Sequence, residues 1–265
     1  MHALFLLVVG TLILSVPAIA DNLPMKHQFE QAQAGLESLV STVSLGGDLP
    51  RRSNADVDAL FVQMDQSIEA LGTPEFPVDQ FDTFTLVCET VNKLAVRYPL
   101  HGIEQLKGLD LPAAQIAGRV RQIQMANATR YQDELISLLA LNMRCQAMHL
   151  PWLTEFMSSL PASERTTIRL DGIRQMRQGM LAMIIGGVVT LTEFSTSIEN
   201  RNRMSDALIR YVDAYSAVMT RADRQSGLVY LTTMSPQVLP EHQATYQIVE
   251  TALTRATCDG LCAFQ

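Results

Sequence analysis

Apolar residues recur three and four positions apart along most of this chain, the spacing of amphipathic helices. From Met25 to Leu45, one face carries Phe29, Ala32, Leu36, Leu39, Val40 and Val43, and the stretch from Gly46 to Pro50 stops the helix. Asn54 is a good N-cap for a second helix ending near Leu71, with Val57, Leu60, Phe61, Met64 and Ile68 inward. Pro74 and Pro77 make a stiff connector. A third helix spans about Val78 to Tyr98, with Cys88 inside its apolar stripe. A fourth runs from Ala113 to His149, with a polar middle at 124–134 where a kink is expected and Pro151 as its stop. Trp152 to Leu160 reads as a short helix of its own.

The chain reads as organised around Gly179–Leu191, GMLAMIIGGVVTL, inside a helix expected from about Ser163 to Asn200. No charge falls between Arg177 and Glu193. A membrane-spanning helix needs roughly 20 apolar residues, so a run this short points to a buried core helix. Apolar groups on every side of it predict burial all round. Gly186 and Gly187 lie adjacent, where a neighbouring helix packs closely or the helix bends. The sequence from Glu199 to Arg203 is expected to return the helix to water. Met204, Leu208, Tyr211, Tyr215, Val218 and Ala222 then form the cleanest heptad seam, interrupted at Ser226-Gly227. The last helix is expected over Pro240–Thr257, with Ile248, Val249, Ala252, Leu253 and Ala256 inward. No strand alternation of useful length is present. The fold class is all-α: a bundle of seven to nine helices around a buried central apolar helix.

Compartment changes how the cysteines read. Residues 1–20 have the form of a secretory signal peptide: an apolar core from Leu4 to Leu14, Pro17, and Ala18-Ile19-Ala20 before Asp21. The alternative is a retained N-terminal anchor. Residues 21–265 are read as a single all-helical domain, exported to the periplasm or secreted. The cysteines Cys88, Cys145, Cys258 and Cys262 then become disulfide candidates. Of their pairings, Cys88–Cys145 between two long helices with Cys258–Cys262 across a tight turn is expected first. The alternative ties the tail to the bundle through one cysteine of each pair.

The formal net charge of −7 argues against nucleic acid and against general adhesion to anionic lipid. Cys145 and His149 share a helix face at metal-ligand spacing, but no second ligand pair can be placed. Haem, di-iron, nucleotide-binding and hydrolase signatures are missing, so no catalytic residue, cofactor or metal is assigned. Asn127-Ala128-Thr129 matches a glycosylation sequon. Arg165, Arg169, Arg174 and Arg177 form a row that reads as a solvated face or as a docking face for an acidic partner. The expected role is an exported, non-catalytic protein that binds an unknown protein partner or serves structurally. The alternatives are a membrane-active protein that inserts the 179–191 helix, and an enzyme of unrecognised type.

Overall fold

A computed structural model describes residues 18–44, 46–71, 89 and 91–264. The expected leader up to residue 17, the connector at 74–77 and Cys88 lie outside the described residues. Among those described the secondary structure is helical, with no strand. The helices are α1 (Ala18–Ser41), α2 (Ala55–Leu71), α3 (Ala113–Arg130), α4 (Gln132–Ser159), α5 (Thr167–Thr190), α6 (Ile198–Val218), α7 (Arg221–Met234) and α8 (Gln243–Arg255). Residues 91–97 are helical as well. The chain divides into two compact units, 1–82 and 83–265.

The first unit is a helical hairpin. Phe29, Ala32, Leu36 and Val40 of α1 meet Val57, Phe61 and Met64 of α2, and Leu49 from the loop is buried with them. Asn54 caps α2 as expected: its Oδ1 accepts from the Asp56 N–H at 2.8 Å. Leu39, read as inward, is exposed.

In the second unit the element with the most extensive packing is α6, which lies against α4, α5 and α8. Its heptad seam is the core: Met204, Leu208, Tyr215 and Val218 are buried, joined by Val212. Tyr215 Oη donates to the Met143 carbonyl at 2.7 Å, and Arg144 Nε donates to Tyr211 Oη at 2.7 Å, which ties α4 to α6.

The helix expected from 163 to 200 is two helices. α5 begins at Thr167, where the Thr166 side chain accepts from the Arg169 N–H, and it ends at Thr190. The Ser197 hydroxyl then accepts from the Asn200 N–H at 3.2 Å and starts α6. The polar sequence 199–203 is therefore a helix start, and Asn200 and Arg201 are buried in it. Nor is 179–191 buried all round. Ile173, Arg177, Met180, Ile184, Gly187 and Val188 form one buried face, while Gly179 and Ala182 are exposed. The helix lies on α6 and α7 by that single face. Among the described residues, no helix is long and apolar enough to cross a membrane.

The glycine pair divides. A Cβ on Gly187 would sit 3.0 Å from Leu208 Cδ2 and 3.1 Å from Met204 Sδ, so this glycine permits close approach. A Cβ on Gly186 would meet nothing within 4 Å. α5 runs through both without a break.

One boundary falls where a kink is expected, and others differ. The fourth helix divides at Tyr131, inside the polar middle, because its ring is buried edge-on against Tyr98 with centroids 5.3 Å apart. Pro151 does not stop α4, which continues to Ser159 and absorbs the segment read as a separate short helix. Proline's missing N–H forfeits one ladder bond, and the long buried stripe through Leu150 and Met157 outweighs that loss. Ser226-Gly227 does not interrupt α7. The break falls earlier, at Met219-Thr220, where Thr220 and Asp223 form a reciprocal capping box. Gly227 is buried inside α7, and a Cβ there would come within 2.6 Å of Leu181 Cδ1. The last helix opens with a 3-10 turn, Pro240–His242, ahead of α8.

Candidate functional site

Arg177 is not part of a solvated arginine face. It is 5% exposed, and α5 turns it inward onto the C-terminal tail. Its Nε donates to Asp223 Oδ2 at 3.1 Å, and its Nη1 donates to the carbonyls of Leu261 at 3.3 Å and Phe264 at 3.1 Å. Asp223 is held by the N–H and hydroxyl of Thr220. A buried guanidinium is tolerated only with such partners, since an unpaired buried charge costs several kcal/mol. The Arg165 guanidinium lies 5.1 Å from the Phe264 ring centroid, and its Nη2 donates to the Ser158 carbonyl. Arg169 pairs loosely with Glu164 at 3.9 Å, and Arg174 pairs with Asp171 at 3.0 Å within one helix turn. The row thus separates into one buried clamp and three outer cations with local partners. Ile168 is 84% exposed beside them.

The tail that Arg177 holds is closed by a Cys258–Cys262 disulfide with Cα atoms 5.7 Å apart. Gly260 sits at φ +89°, and a Cβ there would lie 2.7 Å from Thr154 Oγ1, so both backbone and packing require glycine. The Asp259 N–H donates to the Ala217 carbonyl at 2.9 Å and pins the loop to the end of α6. Cys145 is fully buried and disulfide-bonded; its expected partner, Cys88, lies outside the described residues. That bond leaves no thiolate to join His149 as a metal ligand. Among the described residues, no group of three His, Cys, Asp or Glu side chains could hold a metal ion. Asn127 of the sequon is buried, and its Nδ2 donates to the carbonyls of Pro99 at 3.2 Å and His101 at 2.7 Å.

The pinned tail forms one wall of an open groove of about 740 Å³. Asp213 and Ala217 of α6 line one side, Ala244, Ile248 and Arg255 of α8 the other, and Asp259 closes the end. Ser205 and Thr245 hydroxyls meet at 2.6 Å near the starts of α6 and α8, while Ala217 and Ala256 share the groove near their ends. The two helices therefore run in the same direction. Ile248, expected to point inward, is 40% exposed over the groove because its neighbour Val249 takes the buried position.

A separate polar layer joins the starts of α4 and α6. Asn200 Nδ2 donates to Asp133 Oδ1 at 2.5 Å, and Arg203 Nη1 donates to Asn200 Oδ1 at 3.0 Å and Ser137 Oγ at 3.2 Å. Arg201 donates to the carbonyls of Thr196 and Glu193 and pairs with Glu241 at 3.3 Å. These bonds close the 191–197 turn onto the bundle.

Groups with shifted titration lie elsewhere than the groove. Burial lowers His149 to about 4, and burial lowers His242 as well. Burial raises Tyr98, Tyr215 and Tyr246. None of these five lines the groove. Sequence reasoning did not identify the groove. One signal was present: Ile248 and Val249 are adjacent on a helix, so they cannot both face the same core. No protein-family model, curated protein or solved structure matches the chain.

Proposed function

We propose that this chain is an exported, non-catalytic helical protein that binds a protein partner through the groove between α6, α8 and the tail. The observation that carries the proposal is the groove itself. It has alanine and isoleucine along its walls and charged groups at its margins, which is the pattern of an interface core with a polar rim. The disulfide and the Arg177 clamp hold its end wall in place, so little ordering entropy is lost on binding. Export rests on the signal-like pattern of residues 1–20. An active site is instead characterised by perturbed titratable groups in a cleft. Here those groups are buried away from the groove.

The test is Ile248→Arg. The residue is already partly exposed, so the fold is expected to survive with a thermal midpoint within a few degrees of the parent. Co-purification of the partner from the envelope fraction of producing cells should fall at least tenfold. Unchanged co-purification would remove the groove from the account.

A further inference from the structure

Resting on the binding role proposed above, we infer that the groove seats a lysine- or arginine-bearing, amphipathic peptide segment of the partner. Asp213 and Asp259 both line it, and among the described residues no ion pair or side-chain hydrogen bond engages either carboxylate. Arg255 is the one cation among the lining residues. α6 ends at Val218 and α8 at Arg255, and both C-terminal ends reach this end of the groove. Each helix C-terminus carries about half a negative charge on its last carbonyls. The end of α6 is already capped, because Arg224 Nη1 donates to the Ser216 and Met219 carbonyls. Two carboxylates and the α8 end against the Arg255 guanidinium still leave a negative field, and a cation at the end wall satisfies it.

The apolar side comes from Ala217, Ala244, Ile248 and Ala252. From Ala244 to Arg255 the wall is about 17 Å long at the helical rise of 1.5 Å per residue. That length matches a peptide of about five extended residues or three helical turns, and exceeds a single small cation. Lipid headgroups and nucleic acids present phosphate, which the same field repels.

Two fluorescein-labelled peptides of equal length test this on the oxidised full chain, one alternating Leu and Lys in a helical pattern and one with Glu in place of Lys. Fluorescence anisotropy should show saturable binding of the Lys peptide and none of the Glu peptide at equal concentration. Replacing Asp213 and Asp259 together with Asn should weaken the Lys peptide by about threefold to tenfold, the scale of two exposed ion pairs. Replacing the exposed Glu37 with Gln and Asp56 with Asn changes net charge equally and should weaken it by less than twofold. Equal weakening by both double variants, or equal binding of the Glu peptide, would overturn the inference. If Ile248→Arg removes the partner while the Lys peptide shows no preference, the groove role stands and its charge preference fails. If Ile248→Arg leaves partner capture intact, the groove role itself fails.

Discussion

At the level of single residues, α5 offers a controlled contrast. Gly186 and Gly187 have the same helical backbone and different surroundings. Gly186→Ala should stabilise by up to about 1 kcal/mol, because alanine restores helix propensity and meets nothing within 4 Å. Gly187→Ala should destabilise by about 1–3 kcal/mol, because Leu208 and Met204 are fully buried and have no room to retreat. Urea midpoints of the two variants check both signs. The sequence announced that these glycines needed a reason. It could not say which one had it, because the reason is a contact with α6.

His149 makes the same point for acid stability. Its folded value, about 4, lies below the ordinary histidine value of 6.5, because burial disfavours the charged ring. The unfolded chain takes up a proton below pH 6.5 and the folded chain does not until about pH 4. Stability is therefore full above 6.5 and falls as pH drops through that window. His242 is lowered too, so it contributes in the same direction. The urea midpoint should decline from pH 7 to pH 5, and His149→Gln should flatten the decline.

At the level of elements, the tail clamp depends on three separate devices: a disulfide, a buried arginine and a glycine. Cys258→Ser should cost about 2 kcal/mol, the loop-closure value for so short a ring. Arg177→Ala should cost more, about 3–5 kcal/mol, because Asp223 loses its cation and two tail carbonyls lose their shared donor. Hydrogen exchange at 261–264 should accelerate in both variants. If Arg177→Ala leaves the tail protected, the clamp is not what holds it. Helix existence was largely legible, since the 3.6-residue period of Phe29–Val40 and Met204–Val218 is strong. Breaks were legible only where local chemistry announced them, as at Asn54. The polar stretch 124–134 announced the break at Tyr131. The break at Thr190 was not legible, because a turn closed by Arg201 sets it from elsewhere in the chain. Pro151 misled for the converse reason: packing along the rest of α4 overrode a local helix breaker.

At the level of the whole molecule, the longest uncharged apolar run after residue 20 suggests the centre, whereas the packing centre of the second unit is α6. A run such as 179–191 reports side-chain chemistry, whereas centrality depends on how much of a helix its neighbours cover. α6 packs more extensively than α5, against α4, α5 and α8, with a composition that is less apolar, because its seam is narrow and its remaining surface polar. The arginine row misled similarly: spacing placed Arg177 with its neighbours, and only the tail's return shows why it turns inward. The groove was the least legible feature, since it needs α6, α8 and a disulfide-bonded tail brought together from distant sequence.

The central claim is that this groove, and not the outer arginine face, receives the partner. A photo-crosslinking residue placed at Gln247, in the groove, and separately at Arg174, on the arginine face, tests it most directly in producing cells. A discrete protein adduct at 247 that disappears with Ile248→Arg, with none at 174, is the predicted result. An adduct at 174 with none at 247 would contradict the account and move the interface to the arginine face.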